Sequence, residues 1–242
     1  MTGKQLRGRL SKQERLLDVL AEQMKMPLMQ IARLAELSQL ADSTSVDLAD
    51  IELTADSALR LIDSYLLSTK LARAQNSLQL EPVSVSAVLN ETAHQLSKLA
   101  SQYDCSLELH LAGRYEPVLA HQAGLEAALI SLGYAFIEAQ ASNNYQQHPI
   151  IKLAAHRGKN GIVAGLFSGA DDNLSATLYR RGRGLYGQAR QPLSNLTASS
   201  GAGIFVADSL LASMSAKLRV AHHQRLTGLA ATLMPSQQMV LV

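Results

Sequence analysis

Two helical patterns occupy the first third of the chain. Between residues 17 and 38, apolar side chains recur at steps of three and four, and the polar stretch SQLADSTSVD at 38–47 then interrupts the spacing. This spacing places apolar side chains on one face of a helix. The same steps return at Ile51, Ala55, Ala58, Ile62, Leu66 and Thr69. The pattern therefore predicts an antiparallel hairpin of two long helices joined by a short polar turn.

The two apolar stripes need a partner surface, because a hairpin of two helices cannot bury both of them alone. A second hairpin would cover them in a four-helix bundle, which predicts a homodimer. The alternative is that the stripes pack on the rest of the same chain.

From residue 79 the pattern changes to mixed α and β. Residues 85–100 keep helical spacing, CSLELHLA at 105–112 alternates as a strand does, and YEPVLA at 115–120 is a short extended piece. Residues 121–140 are apolar almost all round, which is typical of a buried helix.

The remaining segments complete a sheet. IIKLAAH at 150–156 and GIVAGLF at 161–167 predict two strands around a turn, and residues 168–200 predict a long loop with one helical turn at most. GAGIFVADSLLASMS at 201–215 opens with glycines and becomes a helix, and residues 216–235 predict a β-hairpin. This order is typical of an α/β sandwich with helices on one face of a mixed sheet.

The length allows one large domain or two smaller ones, and the change of pattern predicts two, a helical hairpin at 1–78 and the sandwich at 79–242. Hydrophobic residues make up 47% of the 242 residues, which is enough for a sizeable core. Cys105 is the only cysteine, so the chain has no internal disulfide and no cysteine-rich zinc site. Neither a secretory signal nor a run of about 18 apolar residues is present, so we expect no membrane span and a cytoplasmic protein.

The net charge of +2 hides an asymmetry between the two ends of the chain. Residues 173–242 contain seven lysines and arginines against Asp208 alone. This end presents either a positive field to a partner or a solvated basic face.

Four segments, taken in order, resemble a known family. They are EQMKMPL at 22–28, LEAALISLGYAFIEA at 125–139, VAGLFSGADD at 163–172 and SGAGIFVADSLLASMSAKLRV at 200–220. They resemble the phosphoacceptor motif, the N box, the Asp-x-Gly-x-Gly loop and the Gly-x-Gly-Leu-Gly-Leu loop of the catalytic core of sensor histidine kinases. The resemblance implies a dimerisation and phosphotransfer hairpin followed by an ATP-binding domain of the Bergerat (GHKL) type.

The first of these segments lacks the reactive residue of the family. Aligned through the Pro-Leu pair, the phosphoacceptor histidine position holds Glu22, and the neighbouring acid position holds Gln23. A carboxylate does not replace an imidazole, which is a nitrogen nucleophile with a pKa near neutrality. Family hairpins dock receiver domains near this level, so Met24, Met26 and Pro27 are the predicted partner-docking residues. Methionine gives an adaptable apolar surface that suits either docking or filling of the helix core, and the helical spacing favours core filling for Met24.

The resemblance places the nucleotide-binding positions of the family at Ser131, Ala135, Ser168, Gly201 and Gly203. Ser131 and Ala135 replace the two asparagines of the N box. Ser168 replaces the adenine-binding aspartate.

The chemistry expected at these positions is weak. Ala135 offers no oxygen ligand to Mg²⁺, and Phe205 at the third glycine position would crowd a backbone that must approach phosphate closely. We therefore expect no cofactor. Gly201 and Gly203, with the arginines of YRRGRGLYGQAR at 179–190, leave residual ATP or anion binding open, and the alternative for these glycines is turn geometry before a helix.

Histidines are absent from residues 1–93, so the hairpin has no phosphoacceptor imidazole. The seven histidines lie at positions 94, 110, 121, 148, 156, 222 and 223, and we interpret each as a surface or strand residue. His222 and His223 are neighbours on a predicted strand, where side chains point to opposite faces, so we expect them not to share a metal.

These observations favour a catalytically degenerate kinase, a pseudokinase that acts as a dimeric signalling adaptor and binds a response-regulator receiver domain or another kinase. The alternatives are a divergent histidine kinase, or a response-regulator phosphatase in which Gln23 orients water. A phosphotransferase would keep the histidine that Glu22 replaces. A nucleic-acid binder would use the segment RRGRG, but no recognition motif accompanies it.

Overall fold

The computed structural model describes residues 28–29, 31, 48–73, 78–111, 113–142, 148–169, 172–187 and 200–236. Within these ranges the helices are α1 (Leu48–Arg73), α2 (Val85–Gln102), α3 (Gln122–Ser142), α4 (Asp172–Gly187) and α5 (Ser200–Ser213). The strands are β1 (Glu81–Val83), β2 (Ser106–Leu111), β3 (Val118–Ala120), β4 (Ile150–Gly158), β5 (Gly161–Ser168), β6 (Leu218–His223) and β7 (Leu226–Leu233).

Five of the strands form one mixed sheet, which confirms the predicted sandwich. Their order is β2-β4-β5-β7-β6, with β2 parallel to β4 and the other neighbours antiparallel. Strands β1 and β3 pair separately in a small antiparallel sheet. β2 and β6 are therefore the two edges of the large sheet.

The main core lies between the large sheet and the helices. Leu153, Leu166 and Leu229 point into it from three adjacent strands and are fully buried. Phe136 and Leu132 of α3 meet them, and α3 is buried on almost every side, as its uniformly apolar sequence predicts. Burying these aliphatic side chains is the main source of stability in such a layered fold.

The prediction of a long loop at 168–200 was wrong, because residues 172–187 form α4. Leu174 and Leu178, one turn apart, are buried, and Gly182 lies against Ile204 of α5. The glycines of this segment disfavour a helix, but packing against α5 overrides that weak local preference. Strand β1 was also missed, because three residues are too few to show an alternating pattern.

Helix α1 packs on the rest of the chain with a face that shares only Ala58 with the predicted stripe. Among the side chains of α1 that the structure describes, the buried ones are Ala58, Ser64, Tyr65, Ser68 and Leu71. Leu66 of the predicted stripe is 45% exposed, and the neighbouring Leu59 is 58% exposed. One face of α1 is thus used within the chain, and an apolar strip on the other face is left open.

The first helix of the predicted hairpin lies outside the described residues, apart from helical residues at 28, 29 and 31. Leu28 and Met29 are exposed there. In the described part of the chain, no helix is both long enough and apolar enough to cross a membrane.

Candidate functional site

Helices α3 and α5 bring three of the predicted nucleotide-site residues together. Ser131 and Ala135 lie one turn apart on α3, and Gly203 lies in the first turn of α5. A Cβ added to Gly203 would lie 2.7 Å from the carbonyl oxygen of Ser131 and 3.3 Å from the Cβ of Ala135. Gly203 therefore lets the two helices touch, and it does so inside α5 instead of in a loop before it.

The side chains around this contact are fully enclosed. Ser131 and Ala135 are each 1% exposed, and Phe205 is 0% exposed. The hydroxyl of Ser131 donates a hydrogen bond to the carbonyl oxygen of Ala127, 2.8 Å away within α3. Protein atoms therefore fill the space between the two helices, and the hydroxyl of Ser131 has a partner of its own.

Ser168 lies at the end of β5 and is bonded to a residue that the sequence patterns did not single out. The amide Nε2 of Gln140 on α3 donates to the Oγ of Ser168 at 2.7 Å, and both side chains are buried. A buried amide needs such a partner, because an unsatisfied polar group costs about 1–3 kcal/mol. A polar residue within the apolar helix α3 was the signal that could have identified this pair.

Gly201 supports the contact between α5 and α4. A Cβ on Gly201 would lie 3.2 Å from the Cβ of Arg181, so the glycine again allows close packing. Arg180 and Arg183, from the segment proposed to hold an anion, lie exposed on α4. The Nη2 of Arg180 donates to Thr177 at 3.3 Å, within the helix.

Solved protein structures share this arrangement of helices and sheet. One is the histidine kinase AdeS of Acinetobacter baumannii, with a TM-score of 0.53 and 12% identity over 88% of this chain and 97% of AdeS. The chain has the fold of a histidine kinase catalytic core. Full-length ShkA in complex with AMPPNP has a TM-score of 0.50 and 17% identity, covering 92% of this chain and 46% of ShkA. No protein-family model matches the sequence, and no curated protein does.

The histidine-kinase fold confirms the predicted resemblance at the level of architecture. The N-box positions Ser131 and Ala135 lie against Gly203, as the order of the motifs implies. Ser168 lies at the end of strand β5. The roles of these residues, and the domain boundary at 78/79, stay predictions. Glu22, Gln23, Met24, Met26 and Pro27 lie outside the described residues.

Helix α1 lies directly against both α3 and α5. The Oγ of Ser68 donates to the Oγ of Ser209 on α5 at 3.0 Å, and both hydroxyls are buried. Leu71 packs on α3, where a Cβ added to Gly124 would lie 2.9 Å from its Cδ1. Helix α1 therefore shares one packed interior with α3 and α5.

A polar network fixes α1 to α2 and α3 further along. The Nη1 of Arg60 donates to the Oε1 of Gln95 at 2.6 Å, and the Nε2 of Gln95 approaches Glu91 at 2.8 Å and Glu126 at 2.7 Å. This network lines a groove between the three helices, to which Asp63 also contributes. Hydrogen bonds to charged partners contribute about 1.5–3 kcal/mol when shielded from water and less here, where Arg60 is exposed.

Three histidines, which sequence reasoning treated separately, meet on the other face of the sheet. The Nδ1 of His110 on β2 lies 2.6 Å from the Nε2 of His223 on β6, and the Nδ1 of His223 lies 3.1 Å from the Nδ1 of His156 on β4. We call these three residues the histidine cluster. His222, next along β6, is exposed and lies 3.3 Å from the hydroxyl of Thr227, so the neighbours do point to opposite faces.

Burial and neighbouring charge shift the titration of the histidine cluster. Burial is the largest cause that lowers the pKa of His223, and His110, His156 and Lys152 add to it. Burial also lowers the pKa of His156, with a smaller contribution from Arg219. Both rings are therefore neutral at pH 7 in the folded protein.

Proposed function

We propose that the chain is a catalytically degenerate histidine-kinase-like protein, a pseudokinase that acts as a dimeric adaptor in two-component-type signalling. Its partner is the receiver domain of a response regulator or another kinase. The observation that carries this proposal is the close contact of Gly203 with Ser131 and Ala135. In this contact, positions that the family resemblance assigns to nucleotide binding pack against each other.

Chemistry at the same place also favours a loss of nucleotide binding. Ala135 offers no oxygen ligand for Mg²⁺, and the hydroxyl of Ser168 is bonded to Gln140. Phe205 is completely buried at the position where a third glycine would let backbone approach phosphate. A nucleotide that binds between α3 and α5 would have to separate the two helices and break buried packing.

We expect calorimetric titration with ATP and Mg²⁺ to show no dissociation constant below about 1 mM, which corresponds to a binding free energy weaker than about 4 kcal/mol. Inorganic tripolyphosphate, titrated in parallel, separates binding of a nucleotide from binding of an anion by the arginines of α4. Micromolar affinity for ATP would contradict the pseudokinase proposal and favour a divergent kinase.

The open strip of α1 supports the dimer. Leu59 and Leu66 are large exposed apolar side chains on α1, and Ile62 between them is half-buried. Residues at such spacing share one helix face, which suits helix packing in a bundle with a second copy.

The buried free thiol of Cys105 suits the reducing cytoplasm, where we place the adaptor.

Receiver docking at Met24 and Met26 gives a prediction of its own. We expect Met24→Asp with Met26→Asp to weaken binding of a purified receiver domain at least about tenfold, since a charge would replace an apolar contact. The measurement is the dissociation constant of the full chain for each receiver domain of the source cell. Met234→Asp, at an exposed methionine near the C-terminal end, is the matched control. Equal affinities of wild type, the double variant and Met234→Asp would mean that the receiver docks on another surface.

A further inference from the structure

We propose that the histidine cluster is a proton-operated latch, which ties the two edge strands of the sheet together at neutral pH and releases them in mild acid. The proposal does not depend on the kinase-like function. It rests on the position, hydrogen bonding and surroundings of His110, His156 and His223.

The latch joins strands that are far apart in the sheet order. His110 lies on β2 and His223 on β6, the two edges of the five-stranded sheet. Their rings meet edge to face with centroids 4.8 Å apart. Three strands separate β2 from β6, so the sheet must curve for these side chains to meet. Glycines allow close packing between the inner strands β5 and β7. A Cβ at Gly228 would lie 2.5 Å from the ring of Phe167, and one at Gly165 would lie 2.6 Å from the Cβ of Ala230.

Every strand that faces the cluster contributes to its environment. His223 is 4% exposed and lies against the ring of Phe167 on β5, with centroids 5.2 Å apart. Lys152 on β4 and Glu108 on β2 form an ion pair at 2.9 Å beside the cluster. Arg219 of β6 lies near His156, and β7 contributes the apolar Leu226. The positive charges of Lys152 and Arg219 oppose further protonation of the imidazoles.

The hydrogen bonds of the latch allow a limited number of protons. A neutral imidazole has one N–H and one bare nitrogen. His223 can therefore accept from one neighbour and donate to the other while all three rings are neutral. One added proton turns His223 into a donor to both neighbours, and both hydrogen bonds of the cluster are still made. A second proton places two N–H groups face to face and two cations about 5 Å apart, so the contact must open.

A proton fits the observed distances better than a metal ion. The ring nitrogens are 2.6 and 3.1 Å apart, as in hydrogen bonds. Two imidazole nitrogens bound to one tetrahedral zinc, at about 2.0–2.1 Å each, would lie about 3.3 Å apart. His223 also directs different nitrogens at its two neighbours. Among the described residues, no group of three ligand side chains is arranged to hold a metal.

The direction of the pH effect follows from the lowered pKa values of His156 and His223. Above about pH 6.5, the ordinary histidine pKa, the rings are neutral in the folded and unfolded chains, and stability does not depend on them. As the pH falls below that value, the unfolded chain takes up protons that the folded chain resists. Stability is therefore lost as pH falls from about 6.5 towards the lowered pKa values.

The test compares the denaturant-unfolding constants of wild type and His223→Phe at pH 7 and pH 5. Phenylalanine keeps the ring packing on Phe167 but neither titrates nor hydrogen-bonds. We expect the unfolding constant of wild type to rise at least about tenfold more than that of His223→Phe over this range. His222→Gln, a change at the exposed neighbour on the same strand, should behave as wild type.

A measurement on the wild-type protein keeps the proposal testable even if His223→Phe does not fold. Proton resonances of the imidazoles should show two rings that titrate below the free value, and amides of β2 and β6 should lose exchange protection together near pH 5. Equal pH dependence in wild type and His223→Phe, or unchanged protection of the two edges, would overturn the latch. Stabilisation by equimolar Zn²⁺ that disappears in His223→Phe would also overturn it, because the cluster would then be a metal site.

Discussion

Replacing Gly203 with valine should lower the free energy of unfolding by about 3 kcal/mol. The first added carbon would lie 2.7 Å from the carbonyl oxygen of Ser131 and 3.3 Å from the Cβ of Ala135. This carbonyl oxygen belongs to the backbone of a buried helix, so it cannot move aside as the end of a flexible side chain would. Overpacking a filled interior typically costs about 1–3 kcal/mol, and valine adds two methyl groups beyond the first clash. Equilibrium unfolding in urea measures this loss.

Gly184→Val is the matched control for this substitution. Gly184 also lies in a helix, α4, but no heavy atom approaches the position of its Cβ within 4 Å. Valine is a slightly better helix former than glycine, so the control should be neutral or should gain a few tenths of a kcal/mol. Equal effects at the two glycines would mean that α3 and α5 are not in contact. That result would refute the close contact of Gly203 with Ser131 and Ala135, on which the pseudokinase proposal rests.

A double replacement on α1, Leu59→Lys with Leu66→Lys, should convert the proposed dimer into monomers. Full burial of a leucine is worth about 1.5–3 kcal/mol, and a symmetric bundle would contain four of the replaced leucines. Losing them and burying ammonium groups in their place should raise the dimer dissociation constant by more than a thousandfold. Light scattering across a range of protein concentrations reports the change in mass.

Two exposed leucines outside α1 provide the control for that experiment. Leu80 and Leu119 are 37% and 40% exposed, and Leu80→Lys with Leu119→Lys adds the same charges away from the open strip. This variant should keep the mass of wild type. A wild-type protein that is monomeric at every concentration would show that α1 has no bundle partner. A dimer that survives both double replacements would place the interface on another surface.

The sheet was predictable because its strands follow a local rule. Apolar and polar residues alternate in β2, and short apolar runs bounded by turns mark β4, β5 and the β6–β7 hairpin, so each strand can be located without its neighbours. Helix α4 does not follow a local rule. Its glycines disfavour a helix, and the packing of Leu178 and Gly182 against the core outweighs that preference.

The candidate site was predictable only in part, for a related reason. The order of the motifs identified Ser131, Ala135 and Gly203, which the fold then brings into contact. The pairing of Gln140 with Ser168 and the histidine cluster join residues that are 28 to 113 positions apart. Such pairs depend on the register and curvature of the sheet, which no local pattern encodes.

Helix α1 has one face packed within the chain and one open face, so binding at the open face can be coupled to the packing of the other. One face is bonded to α5 through Ser68 and Ser209, and the opposite face carries Leu59 and Leu66. Because α1 contacts both α3 and α5, a molecule that bound the open face better when those two helices were separated would favour their separation. By linkage, a ligand that separated those helices would change affinity at the open face by the same factor. The difference between a ligand's affinities for the two arrangements of the helices sets the limit on how strongly its binding can shift the balance.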